Sequence, residues 1–287
     1  MSLMRAQARR YANRDAWIEG RRFFETRVEQ YPLDAQARAH LAFFVVKESR
    51  YDTQRALRLL DEAIALDPGC AIAWVYKSMV LGTLLDESGA REALERAEAA
   101  GALEEDVVRT RAWNALDVWK LDEAIAGFEH LVEICAESSS CVLLATAFLQ
   151  AGKHDDARRW ALAAVEREPD DFRGHAYAGI AVLAQGSVAE ARAHLEQAAA
   201  LAPDSPMVAH ALGMAALREG DLTRAERHLR AAVRIDPLYV TSQRALADLC
   251  ARDGRTAEAR RHYEAALAVF PGYLEARAGL EALPGEE

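Results

Sequence analysis

Four prolines of the chain, Pro169, Pro203, Pro237 and Pro271, stand 34 residues apart, and that step constrains the fold more than any other feature. The same step links Gly152, Gly186, Gly220 and Gly254, then Ala157, Ala191, Ala225 and Ala259, then Ala164, Ala198, Ala232 and Ala266. A further column of small residues reads Ala145, Gly179, Gly213 and Ala247. A fixed period of this length marks a repeat architecture, in which each unit buries its apolar face only against its neighbours.

Each column has a physical reason if the unit is a pair of helices. Glycine falls just past the first helix, where the chain turns through a left-handed conformation that glycine adopts without steric cost. Proline follows the second helix, where it blocks continuation and its missing N–H does no harm. Ala or Gly at the other columns lets helices approach closely. Ser205–Pro206 fits a helix start, with Ser as N-cap and Pro at the first helical position. Composition agrees: the chain is 51% hydrophobic but only 7% aromatic, the apolar share being mostly Ala and Leu, which are strong helix formers. With no β-branched run of strand length, the fold class is all-α.

Upstream the pattern loosens. Ala124, Phe128 and Leu131 mark a hairpin one residue out of register and without its proline. Trp74 to Leu81 with Ala90, Leu94 and Ala97 marks another. Ala56 and Ala63, closed by Pro68, mark a third, with a longer loop near Ser49–Asp52. The expected organisation is a degenerate helix pair over 1–36, carrying Tyr11, Trp17, Phe23 and Phe24, followed by about seven repeats. These span 37–70, 71–104, 105–137, 138–171, 172–205, 206–239 and 240–273. A capping helix and short tail occupy 274–287, with Leu274, Ala278 and Leu280 as its apolar stripe beside Glu275, Arg277 and Glu281.

On these columns the chain resembles the tetratricopeptide repeat family over roughly residues 37–273. The resemblance implies a right-handed α-solenoid, a superhelix of stacked antiparallel helix hairpins with a concave inner face. The long loop and the missing closing prolines after 71–104 and 105–138 depart from the family pattern.

The formal charge of −10 and pI near 5.4 exclude a nucleic-acid reader, which needs a concentrated basic face, and disfavour an anionic membrane surface. No stretch approaches eighteen consecutive apolar residues, so no membrane-inserted helix is expected. The basic segment Met1 to Asn13 has no apolar core of a signal peptide, and four cysteines in 287 residues make no disulfide framework. The expected location is cytoplasmic, or periplasmic if a native leader has been removed.

Catalytic motifs are absent: no HExxH, CxxC, GxSxG or GxxxxGK[ST] occurs. His194, His228 and His262 are again 34 apart. They fall on successive second helices, whose separation of roughly 10 Å is too great for one zinc ion with ligands at about 2 Å. Cys70 and Cys250 read as packed apolar residues, and Cys135 and Cys141 as flanks of one loop. Acidic pairs at Glu104–Glu105, Asp155–Asp156 and Asp170–Asp171 sit at expected helix starts, where the helix dipole favours them. No metal, cofactor or enzymatic activity is expected.

In the family, the concave surface is lined by the second, fifth and ninth residues of each first helix. By that resemblance the second positions are Ile72, Asp106, Ser139, Arg173, Met207 and Thr241. The fifth are Val75, Arg109, Val142, Ala176, His210 and Arg244. The ninth are Met79, Trp113, Thr146, Ile180, Met214 and Asp248, with Tyr177 beside Ala176. The Lys and Asn set with which some members grip a carboxylate tail is missing, its places held by residues such as Val75, Met79, Asp106 and Thr110. Met and Trp suit instead an amphipathic helix or apolar peptide.

The expected function is a scaffold or adaptor that holds a protein or peptide partner in this groove, with Met79 and Trp113 at its centre. Alternatives are a regulatory module sensing a small ligand and an assembly factor of a bacterial envelope or secretion system. A second copy of the chain is a further candidate occupant, through the groove or the terminal helix.

Overall fold

The computed structural model describes residues 3–12, 16–48 and 52–284. Among them are seventeen α-helices and no strand, and no helix is long and apolar enough to cross a membrane. The loop expected near Ser49–Asp52 lies, apart from Asp52, outside the described residues, as does the tail after Pro284.

The chain divides into two compact units. The first holds α1 (Leu3–Ala12), α2 (Trp17–Gln30), α3 (Ala35–Glu48), α4 (Thr53–Leu66), α5 (Ala71–Thr83), α6 (Glu87–Ala99), α7 (Glu104–Asp117), α8 (Leu121–Ile134) and α9 (Ser138–Gln150). The second holds α10 (His154–Arg167), α11 (Phe172–Ala184), α12 (Val188–Leu201), α13 (Pro206–Glu219), α14 (Leu222–Ile235), α15 (Val240–Arg252), α16 (Thr256–Val269) and α17 (Leu274–Glu281). Within each unit consecutive helices pack as antiparallel hairpins, and each hairpin packs on the next.

The turn glycines behave as their column requires. Gly186, Gly220 and Gly254 have φ of 92°, 80° and 73°. At Gly220 the following N–H, of Asp221, returns to the Ala216 carbonyl at 3.0 Å, the six-residue closure of a Schellman cap. The first unit makes the same turn with other residues. Leu85 (φ 61°) and Trp119 (φ 60°) stand in the left-handed conformation, closed by Asp86 N–H to Leu81 O at 3.0 Å and Lys120 N–H to Ala115 O at 2.9 Å. Where the proline after residues 71–104 is missing, Gly101 (φ 79°) ends α6.

Starts follow the sequence too. Ser205 Oγ accepts from Val208 N–H at 3.4 Å, with Pro206 opening α13, and Asp171 and Asp221 cap α11 and α14.

The two cores differ. In the first unit Phe24, Phe44, Leu60 and His40 are fully buried, and Phe24 stacks on Phe44 at 5.5 Å between ring centroids. In the second the core is columns of Ala157, Ala191 and Ala225 with Leu195 and Leu229. Large side chains there face small ones: a Cβ on Gly213 would stand 2.8 Å from Leu229 Cγ, well inside contact distance.

The terminal helix covers the last hairpin by a different edge from the one expected. Leu274 and Ala278 are exposed, whereas Ala276 is buried and Leu280 packs on the core. Gly279 leaves room for the Tyr263 ring. The register is set by that ring, which only a residue without a side chain can lie against.

Candidate functional site

A first helix is packed on its own partner helix and on the first helices beside it, so only a narrow strip of it reaches the surface. In the first unit that strip holds Ile72, Met79, Arg109, Trp113 and Thr146, all half-buried. Val75 and Val142 do not belong to it: they are 3% and 5% exposed. The fifth position of α5 and α9 thus turns under its neighbours and is part of the floor, not of a contact surface. Met79 packs on the aromatic core, and Trp113 meets Phe128 of its own hairpin edge-on at 5.8 Å.

The strip is not bare at its start. Helix α1 inserts Met4 and Ala8 into the aromatic core. From the adjacent positions Arg5 and Arg9 it reaches the first turn of α7. Arg5 Nη1 lies 2.6 Å from Asp106 Oδ2, and Arg5 also pairs with Glu105. Arg9 lies 2.8 Å from Glu105 and 3.3 Å from Glu137, the residue just before α9. Arg109, one of the expected groove residues, closes the cluster on Asp106 at 3.1 Å.

Asp106 is 9% exposed. Burial pushes its carboxyl up, against the opposing pull of Arg5 and Arg109. Such a group in a low-dielectric setting needs its cations. Behind it, Tyr76 OH and His40 Nδ1 are 3.1 Å apart. Burial, then the Arg5 charge, holds His40 down to about 4, and burial pushes the Tyr76 hydroxyl up. His40 is therefore neutral at pH 7, and it shares one hydrogen bond with the Tyr76 hydroxyl through Nδ1.

In the sequence this cluster left only faint marks: a basic N-terminal stretch and an acidic helix start, about 100 residues apart.

In the second unit Tyr177, Ile180, His210, Met214, Arg244 and Asp248 are half-buried. The polar ones are engaged with one another. Arg244 Nη1 lies 2.6 Å from Asp248 Oδ2, and its Nε donates to Tyr273 OH at 3.1 Å. Tyr263 OH donates to Asp248 Oδ1 at 2.6 Å. His210 Nδ1 is 2.9 Å from Ser242 Oγ, and burial, then Arg244, lowers the imidazole to about 4.

The histidine ladder stays dispersed. His194 neighbours His175, at 6.0 Å between rings, and His262 Nδ1 meets Gln243 Oε1 at 2.7 Å. Among the described residues one trio, Glu226, Cys250 and Glu258, brings donor atoms within 4.8 Å of one another. Its carboxylates are already bridged by two guanidiniums: Arg255 at 2.7 and 2.9 Å, Arg230 at 2.8 and 2.6 Å. Burial pushes the Cys250 thiol up, away from the thiolate that metals bind. The arrangement is that of an ion-pair cluster.

A family model described as tetratricopeptide repeat matches residues 142–206 and 210–280. Among solved structures, a chain of the Cut9–Hcn1 hetero-tetramer of the APC/C is similar with a TM-score of 0.70 at 14% identity, over 98% of this chain and 55% of that one. Tom70 of yeast is similar with a TM-score of 0.67 at 16% identity, over 93% and 58%. TTC0263, a thermophilic TPR protein of Thermus thermophilus, gives 0.57 at 22%, over 62% and 97%. The chain thus spans little more than half the length of the first and of Tom70. No curated protein matches its sequence.

Proposed function

The chain belongs to the tetratricopeptide repeat family, and on that premise we propose that it is an interaction scaffold and not a catalyst, holding a helical segment of a partner against the first-helix strip of its N-terminal unit. The observation that carries this reading is the pair Met79 and Trp113, half-buried at equivalent positions of α5 and α7. Trp113 is braced by Phe128 along one edge, so part of its ring meets a partner with little conformational entropy left to lose. Met79 adapts its shape to whatever packs on it. The second unit supports the choice by contrast, because the polar groups of its strip are satisfied by one another.

The test is a displayed library of helical peptides selected on the wild-type chain, with affinities measured by calorimetry on wild type and Trp113→Ala. The substitution should weaken the selected peptides by about thirtyfold or more, ~2 kcal/mol. Unchanged affinity with helix content intact overturns the assignment.

A further inference from the structure

We propose that α1 is the resident occupant of a docking site for basic amphipathic helices, and that a partner helix bearing two arginines one turn apart displaces it. The geometry of α1 defines the ligand. Met4 and Ala8 lie four residues apart on one face and are buried; Arg5 and Arg9, each one position on, form a second row beside them. The pattern required of a partner is therefore an apolar residue followed by arginine, repeated after one turn.

The receiving side is built for it. Glu105 and Asp106 stand in the first turn of α7 and Glu137 just before α9, at helix N-termini where carboxylates are favoured. Three carboxylates thus face the two guanidiniums of α1 and Arg109. With α1 lifted away, Asp106 keeps Arg109 alone, so the site calls for a replacement cation.

What makes α1 displaceable is how little holds it. It is 10 residues long, below the length at which a helix sustains itself in water. It fully buries two side chains and lays Tyr11 against Phe23 and Phe44, whereas α3 fully buries nine. A terminal helix held by three apolar side chains and one cluster of ion pairs opens before the longer, more deeply buried helices beneath it.

The inference rests on reading the N-terminal unit as a docking surface, and its test fails separately from that reading. A fluorescein-labelled peptide with the sequence of residues 1–14 is titrated into the full-length wild type and the Arg5→Glu/Arg9→Glu variant. The variant should bind it at least about tenfold more tightly, because in the wild type the tethered helix competes at high effective concentration. A peptide with both arginines replaced by glutamate should bind neither. Equal binding to both chains, or none to the variant, overturns the proposal.

Hydrogen exchange on the wild type decides the matter even if the variant does not fold: α1 amides should exchange at least about a hundredfold faster than those of α3. Protection of α1 equal to that of α3 makes it part of the fold and ends the proposal. Peptide binding as expected, with no effect of Trp113→Ala on library peptides, would refute the scaffold reading alone.

Discussion

The two units solve one packing problem with different materials. In the second, one contact recurs at three crossings, a leucine or tyrosine against a glycine: Leu195 on Gly179, Leu229 on Gly213, Tyr263 on Gly279. In the first, rings do the filling. Tyr11, Trp17, Phe24 and Phe43 surround Phe44, and Gly20 is small because that ring lies against it. A core of repeated small contacts can be copied from one hairpin to the next. A core of interlocking rings fits one place only, and that is why the period fades upstream even though the helices do not.

The difference should be visible in what single truncations do. Phe44→Ala removes the ring on which four others lean and should cost about 4 kcal/mol. Leu229→Ala, in an equally buried site of the second unit, should cost about 3 kcal/mol, because flanking alanines and glycines collapse more readily into the space. Urea denaturation followed by hydrogen exchange in each unit measures both. A larger loss from Leu229→Ala would break the contrast, since it would make the copied interface the tighter one.

Titration reaches a histidine in each unit. His40 is held down to about 4 by burial and then by Arg5, against an ordinary value of 6.5. Between those values the unfolded chain takes up a proton that the folded chain refuses. The stability from the neutral imidazole is thus complete above about pH 6.5 and drains away as pH falls towards 4. For a group so buried the loss between about pH 6.5 and 4.5 is roughly 2 kcal/mol. His210 has the same direction and the same value of about 4, from burial and then Arg244, so it adds a loss of the same sign in the second unit. Acid loss through Glu258, held below the ordinary carboxylate range by Arg230, sets in only below about pH 4.5. Helices α3 and α13 should therefore both lose exchange protection as pH drops from about 6.5 to 4.5, and His40→Gln should flatten the decline in α3 alone. A decline unaffected by the substitution would remove His40 from the account.

How far the chain could be read in advance follows the same division. Gly220, Ala225 and Pro237 announce their places because each answers a local demand, a turn or a close crossing, that recurs every 34 residues. The ends of α13 could be drawn from Ser205, Pro206 and Gly220 alone. Met79 and Trp113 could be picked out by position, and both are half-buried. That Val75 and Val142 are buried could not be read, because exposure at a fifth position depends on neighbouring helices, which no period encodes. The pairing of Arg5 with Asp106 was beyond reach altogether: the partners lie 101 residues apart and neither belongs to a column. The exposed edge of α17 was misjudged because its register answers to the Tyr263 ring and not to its own apolar stripe.

The smallest effect is the most direct comparison of the two units, since it exchanges their turns. Leu85 and Trp119 hold the conformation that Gly186, Gly220 and Gly254 hold elsewhere. For a side chain with a Cβ that conformation costs about 1–2 kcal/mol, partly offset in glycine by its greater unfolded entropy. Leu85→Gly and Trp119→Gly should each stabilise the chain by ~1 kcal/mol, and Gly220→Leu should destabilise it by a similar amount, read as shifts in the urea midpoint. Both side chains are largely in water, at 65% and 71% exposure, so little packing is forfeited. The adjoining pair Lys120–Glu87, which ties one turn to the next, is left in place. A gain in both variants would mean that the backbone of the first unit is strained at its turns in favour of large apolar side chains at the surface. If Trp119→Gly gives no gain while Leu85→Gly does, the indole is stabilising its turn by contacts that offset the strain, and the two turns are not equivalent.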